Sequence, residues 1–116
     1  MSVEGVFRYL HRRLRNVLPS YGYVKPTPIQ EKAIPVVLRG IHTVIIGPTG
    51  SGKTEAALFP IFSRILELGI GGRGRVLALY ITPLRALNRD IWFRMKDIAS
   101  SIGLSMAIRH GDTPKN

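Results

Sequence analysis

The chain contains no cysteine, which excludes disulfides and thiolate metal sites. It also has no apolar run that approaches the length of a membrane span. Near the N-terminus, where a signal peptide would lie, any apolar segment is interrupted by Arg8, Arg12, Arg13 and Arg15. We therefore expect a cytoplasmic protein without a membrane partner.

Acidic residues are scarce. The chain has 7 of them against 17 lysines and arginines, and its formal net charge is +10. In a single small domain of 116 residues this excess favours a polyanionic partner such as nucleic acid. The charge alone also fits a basic protein without such a partner, or the basic part of a longer chain.

Residues 47–54 read GPTGSGKT and fit the phosphate-loop pattern G-x-x-x-x-G-K-[ST]. An apolar stretch at 43–46 predicts a strand before the loop, and 55–62 open a helical pattern after it. Lys53 is expected to reach the β- and γ-phosphates of a nucleotide, and the Thr54 hydroxyl to ligate Mg²⁺. The backbone of the loop would bind the phosphates through Thr49, Gly50, Ser51, Gly52, Lys53 and Thr54. The alternative is a glycine-rich turn that only joins a strand to a helix.

Hydrophobic periodicity predicts the other helices. Apolar residues at helical spacing predict an amphipathic helix over 4–18, whose basic face is either solvated or lies along a phosphate backbone. Thr27, Pro28 and Gln30 predict a capping box at the start of a second helix, which stops at Gly40. Pro35 should kink or split that helix. Further helices are predicted from the phosphate loop to about Leu68 and from about Ala86 to Ser101.

Strands are predicted at 43–46, 76–81 and 104–108, so the element order is α–α–β–α–β–α–β. This alternation is typical of an α/β fold with a parallel sheet and flanking helices. Ligands of such sheets bind beyond the carboxyl ends of the strands. The loops at 47–52, 82–85 and 109–113 meet that condition, and the last two are candidates for binding a second, elongated ligand.

Three segments resemble motifs of superfamily 2 helicases. Residues 22–30, GYVKPTPIQ, resemble the glutamine motif, 47–54 resemble motif I (Walker A), and 82–87, TPLRAL, resemble motif Ia. The strings at 80–90 and 109–113 most resemble the large helicase-related group. The match covers about residues 20–114. It implies the N-terminal portion of a RecA-like P-loop NTPase lobe, with 1–20 as a basic helical extension and 21–116 carrying the motifs.

The resemblance implies ATP and Mg²⁺ as cofactors, with Lys53 and Thr54 as the catalytic residues of the phosphate loop. Gln30 would read the adenine edge, with Lys25 also at the nucleotide, although Gln30 may only close the capping box. A single DNA or RNA strand would be held by its backbone at Pro83, Leu84, Arg85, Arg109, Gly111, Asp112 and Thr113. For Arg85 the alternative is a surface charge or a helix-terminal partner.

The chain also departs from the family pattern. No two acidic residues are adjacent, so the Asp-Glu pair of motif II is absent, as are the Ser/Thr-Ala-Thr motif and the second lobe. We therefore expect the ATP-binding portion of a helicase that is inactive without the remainder of the chain or a complementing copy. The alternative is a non-catalytic nucleic-acid-binding module with a vestigial phosphate loop. Gln30 and motif Ia argue against an NTPase that acts on a small molecule.

Overall fold

The computed structural model of the chain describes residues 2–69, 76–81 and 89–107. Two short 3-10 helices, Gly5–Tyr9 and Leu18–Tyr21, flank the first α-helix. The α-helices, in chain order, are α1 (Arg12–Val17), α2 (Pro28–Leu38), α3 (Lys53–Leu68) and α4 (Arg89–Ser101). Motif Ia and the polar loop at 109–113 lie outside the described residues.

The single helix predicted over 4–18 is wrong, because the chain leaves the helical conformation at Leu10 and His11. The break allows the Nδ1 of His11 to accept a hydrogen bond from the Arg13 N–H (3.1 Å), which caps α1. The His11 N–H donates to the Ser63 Oγ (2.7 Å) and so attaches this turn to α3. The apolar stripe itself is still buried, with Phe7, Leu10, Leu14 and Leu18 all in the core.

The capping box at the start of α2 is confirmed. The Thr27 Oγ1 accepts from the Gln30 N–H (3.4 Å), and the Gln30 Oε1 accepts from the Thr27 N–H (2.9 Å). The expectation that Pro35 splits this helix is wrong, since α2 continues through it to Leu38. A proline this close to the end removes only one intrahelical bond, and the buried face of the helix packs against α3.

Helix α3 is the centre of the core. It begins after Gly52 and ends at Leu68 as predicted, where Gly69 adopts a φ of 64° that suits a glycine cap. Phe59 is fully buried on this helix, with its ring 5.9 Å from that of Phe7 and 5.0 Å from that of Tyr23, both edge to face. Helix α4 completes the core with Met95, Ile98, Ala99 and, just beyond its end, Ile102.

The predicted parallel sheet is not confirmed. The described parts of the predicted strands, residues 43–46, 76–81 and 104–107, form no strand. Their apolar side chains are largely solvent-exposed: Val44 is 84 % exposed, Ile46 85 % and Ile81 90 %. A buried parallel strand needs ladder partners on its sides and helices on both faces of the sheet. Neither is present around these segments in the part of the chain that the structure describes.

Within residues 2–69, 76–81 and 89–107, none of the helices combines the length and the apolar character that crossing a membrane requires.

Candidate nucleotide-binding site

The phosphate loop delivers its backbone to the start of α3. Gly52, the residue before the helix, has a φ of 87°, a left-handed conformation that favours glycine. No side chain caps the helix there, so its first N–H groups are left for another acceptor. A Cβ at position 52 would collide with the Gln30 Nε2, which shows how closely the loop passes over α2. The sequence predicts both the loop and the helix that follows it.

Lys53 is held by the loop itself. Its Nζ donates a hydrogen bond to the Gly47 carbonyl (2.7 Å), so the side chain folds back over the turn that residues 47–52 form. This contact keeps the ammonium at the mouth of the loop. In that position the charge favours an anion that approaches the free N–H groups of α3.

Ser51 and Thr54 carry hydroxyls that the described residues leave without partners. The Ser51 Oγ is buried and makes no hydrogen bond. Buried hydroxyls normally have a partner, so an orphan in a phosphate loop fits a site that a polar ligand completes. The Thr54 side chain is half-buried at the first turn of α3, where a nucleotide-bound Mg²⁺ would lie. Among the described residues, no three acidic, histidine or cysteine side chains form a metal cluster.

Gln30 and Thr27 join α2 to the phosphate loop. The Thr27 Oγ1 donates to the Ser51 carbonyl (2.8 Å), and the Gln30 Nε2 donates to the Gly52 carbonyl (3.3 Å). Gln30 is 2 % exposed, and both ends of its amide are hydrogen-bonded. The capping box therefore positions the loop. The expected adenine contact of Gln30 stays a prediction, as do the nucleotide contacts of Lys25 and Thr49, both of which are exposed.

A polar network that the sequence analysis missed lies behind the loop. The Tyr23 hydroxyl donates to the Glu55 Oε2 (2.8 Å) and accepts from the Arg94 Nη1 (3.0 Å). The Arg94 guanidinium also lies 5.8 Å from the centre of the Tyr23 ring. Glu55 follows the phosphate-loop threonine directly and is buried, which could only be known once α4 and Tyr23 had been placed. The network links the first turn of α3 to α4.

Burial is the main reason that the pKa of Tyr23 rises to about 12, and the neighbouring Glu55 carboxylate raises it further, whereas Arg94 lowers it. The hydrogen bond to Tyr23 is the main reason that the pKa of Arg94 is raised. A phenol whose pKa is higher in the folded state stabilises the fold fully below its unfolded pKa, near 10. That stabilisation is lost as the pH rises from 10 through 12.

We expect Tyr23→Phe to lower the free energy of unfolding at pH 7 by about 1 kcal/mol, because the ring contact with Phe59 remains but two hydrogen bonds are lost. The difference from wild type should shrink as the pH rises above 10, since only wild type has this phenol to ionise. Urea unfolding followed by circular dichroism between pH 7 and 11 measures this. Tyr9→Phe, at an exposed tyrosine, is the control. A difference that does not change with pH would contradict the prediction.

The residues predicted to hold a nucleic-acid strand, at 83–85 and 109–113, lie outside the described residues, so their contacts stay predictions. The structure thus brings together the predicted nucleotide residues of α2, the loop and α3. It also adds Tyr23, Glu55 and Arg94, to which the sequence analysis gave no role.

Comparison with known proteins agrees with this site. The family model described as DEAD/DEAH box helicase matches residues 27–116. The probable ATP-dependent RNA helicase DDX46 of Danio rerio is 38 % identical over 102 residues, which are 87 % of this chain and 10 % of that protein. The ATP-dependent helicase Lhr-Core of Saccharolobus solfataricus is 44 % identical over 98 residues, 77 % of this chain and 11 % of that protein. No solved structure matches the chain.

The chain therefore belongs to the DEAD/DEAH box helicase family, and its resemblance to superfamily 2 helicases is confirmed. Membership implies a RecA-like P-loop fold, and the family generally uses ATP with Mg²⁺. The chain spans about a tenth of the length of the two relatives just described.

Proposed function

We propose that this chain is the ATP-binding portion of an ATP-dependent helicase and that it holds ATP–Mg²⁺ at the phosphate loop. The observation that carries the proposal is the arrangement of the loop: Lys53 is fixed at its mouth, and Gln30 and Thr27 fix its carbonyls from α2. A loop whose backbone is already in place loses little conformational freedom when it binds a polyanion.

The residues of the loop would divide the work between them. The N–H groups at the start of α3 would accept phosphate oxygens, and Lys53 would exchange the Gly47 carbonyl for a β- or γ-phosphate oxygen. Thr54 would hold Mg²⁺, which neutralises charge on the phosphates. Ser51 would gain the hydrogen-bond partner that its buried hydroxyl lacks within the described residues.

We further propose that the chain binds a single strand of DNA or RNA through the motif Ia edge, with Arg85 and Arg109 on the phosphates. The support is the net charge of +10 and the names of the relatives, which include RNA helicases. The remainder of a longer chain, or a complementing copy, would supply the motif II acids and the second lobe.

ATP binding without turnover tests the proposal. Phosphoryl transfer needs a positioned water and a metal held on more than one side, and the sequence has no adjacent pair of acids to supply them. We expect the purified chain to bind ATP in the presence of Mg²⁺, measured by calorimetry. Phosphate release should stay at background, with or without single-stranded RNA or DNA.

Two outcomes would contradict this proposal. Equal affinity for ATP and for an unrelated anion of the same charge would indicate a vestigial loop. Turnover that nucleic acid stimulates and that disappears in Lys53→Ala would show that these residues suffice for catalysis, since a contaminating ATPase would not respond to the substitution.

A further inference from the structure

A basic cavity lies in the N-terminal extension, outside the phosphate loop. It has a volume of about 340 Å³, and three of its six lining residues are arginines. Its lining consists of Ser2, Val3, Arg8, Arg12, Arg15 and Asn16. No acidic side chain lines it, so three positive charges converge on one depression without a counter-charge in its wall.

Arg15 has a donor in need of a partner. Its Nε is buried and makes no hydrogen bond within the described residues. A buried donor without an acceptor costs about 1–3 kcal/mol. An acceptor that enters the cavity would remove this cost, and an anion would also relieve the repulsion among the three guanidinium groups.

The other two arginines are available to the same ligand. Both are exposed. Within the described ranges Arg12 makes no ion pair or hydrogen bond through its side chain, and Arg8 makes only a long contact (3.4 Å) from its Nε to the Gly5 carbonyl. Their guanidinium groups are therefore free to form the paired hydrogen bonds that phosphate oxygens accept.

The arrangement favours an extended ligand over a single ion. Arg8 belongs to the 3-10 helix Gly5–Tyr9, whereas Arg12 and Arg15 belong to α1, and the chain breaks between the two elements at Leu10 and His11. The arginines are thus spread over two elements. The cavity wall also includes the apolar Val3, which could contact a ribose or a base.

We propose that this cavity, defined by Arg8, Arg12 and Arg15, binds phosphodiester groups of a single-stranded nucleic acid. It is a second contact for the strand, formed by residues 2–16 and independent of motif Ia. It extends the proposed nucleic-acid binding of the chain and shares no residue with the nucleotide site.

Fluorescence anisotropy with a labelled 12-nucleotide single-stranded RNA, at 50 to 300 mM KCl, tests the inference. The variant Arg8→Ala/Arg12→Ala removes two exposed arginines from the cavity. The control Arg13→Ala/Arg39→Ala removes two exposed arginines that do not line it, so the net charge falls equally. We expect the cavity variant to lose at least tenfold in affinity and its salt slope to fall by about two units. The control should lose less than threefold.

Arg15→Lys refines the test, because it keeps the charge and removes the buried Nε. A loss of three- to tenfold in affinity is expected if that donor contacts a phosphate. Melting followed by circular dichroism confirms that each variant is folded. ATP affinity, measured on the same samples, should be unchanged in all of them.

Three results would overturn the inference. The first is an equal loss in the cavity variant and the control, which would mean that bulk charge alone attracts the strand. The second is no loss in the cavity variant together with a large loss in Arg85→Ala/Arg109→Ala, which would leave the proposed function intact. The third is competition by free ATP for the labelled RNA that disappears only in Arg8→Ala/Arg12→Ala, which would assign the cavity to a free nucleotide.

Discussion

Replacing Lys53 with alanine should weaken ATP binding by roughly 10- to 150-fold, the equivalent of a hydrogen bond to a charged group at about 1.5–3 kcal/mol. In the free protein the ammonium is bound to the Gly47 carbonyl at 2.7 Å. When ATP binds, the ammonium exchanges this neutral acceptor for a charged phosphate oxygen. Alanine can make neither contact. Calorimetric titration of both proteins with ATP and Mg²⁺ measures the effect.

Arg64→Ala is the matched control for Lys53→Ala. Arg64 is also a cation that donates to a backbone carbonyl, that of Leu38 at 2.9 Å, but it lies at the far end of α2 from the loop. Its removal should leave the ATP affinity within twofold of wild type. The fold of Lys53→Ala should be retained, because the side chain is not part of the hydrophobic core. Equal ATP affinity in wild type and Lys53→Ala would refute the assignment of the loop.

Replacing Gln30 with alanine should have two effects. The first is a loss of about 1–3 kcal/mol in the free energy of unfolding, because the Thr27 N–H and the Gly52 carbonyl each lose a partner in a buried place. The second is loss of the preference for ATP over GTP, which a well-aligned adenine contact would set at about 1–3 kcal/mol. Urea unfolding measures the first effect, and paired ATP and GTP titrations measure the second.

Thr27→Ala separates the two roles of Gln30. It removes the other half of the capping box and the hydrogen bond to the Ser51 carbonyl, but leaves the amide of Gln30 in place. It should therefore lower stability and keep the ATP/GTP ratio. If Gln30→Ala lowers stability and leaves that ratio unchanged, Gln30 acts only in the capping box and the adenine contact is wrong.

The parts of this molecule that the sequence predicts correctly depend on local interactions. The capping box is a contact between residues three apart, and the limits of α3 follow from Gly52 and Gly69 on either side of it. The break at His11 was missed because its stabilising partner, Ser63, is far away in the sequence. The same reason hides the buried Glu55, whose partner Tyr23 lies 32 residues before it.

The predicted sheet failed for a related reason. The apolar run at 76–81 has the composition of a buried strand, but composition cannot provide the neighbouring strands that a ladder needs. The proposed adenine and nucleic-acid contacts depend on ligands, so neither the sequence nor the fold of the free chain tests them. For the nucleotide site, the sequence predicts which residues come together. The structure adds how the loop is held.

The exposed Val44, Ile46 and Ile81 determine how this protein behaves when the ionic strength changes. Unpaired apolar backbone of this kind is prone to associate with copies of itself, and here the repulsion between chains of net charge +10 opposes that association. The range of the repulsion falls from about 30 Å at 0.01 M salt to about 8 Å at 0.15 M. The salt that releases a nucleic acid therefore also removes the barrier between two chains. Binding curves at high salt describe single molecules only at protein concentrations where sedimentation finds a monomer.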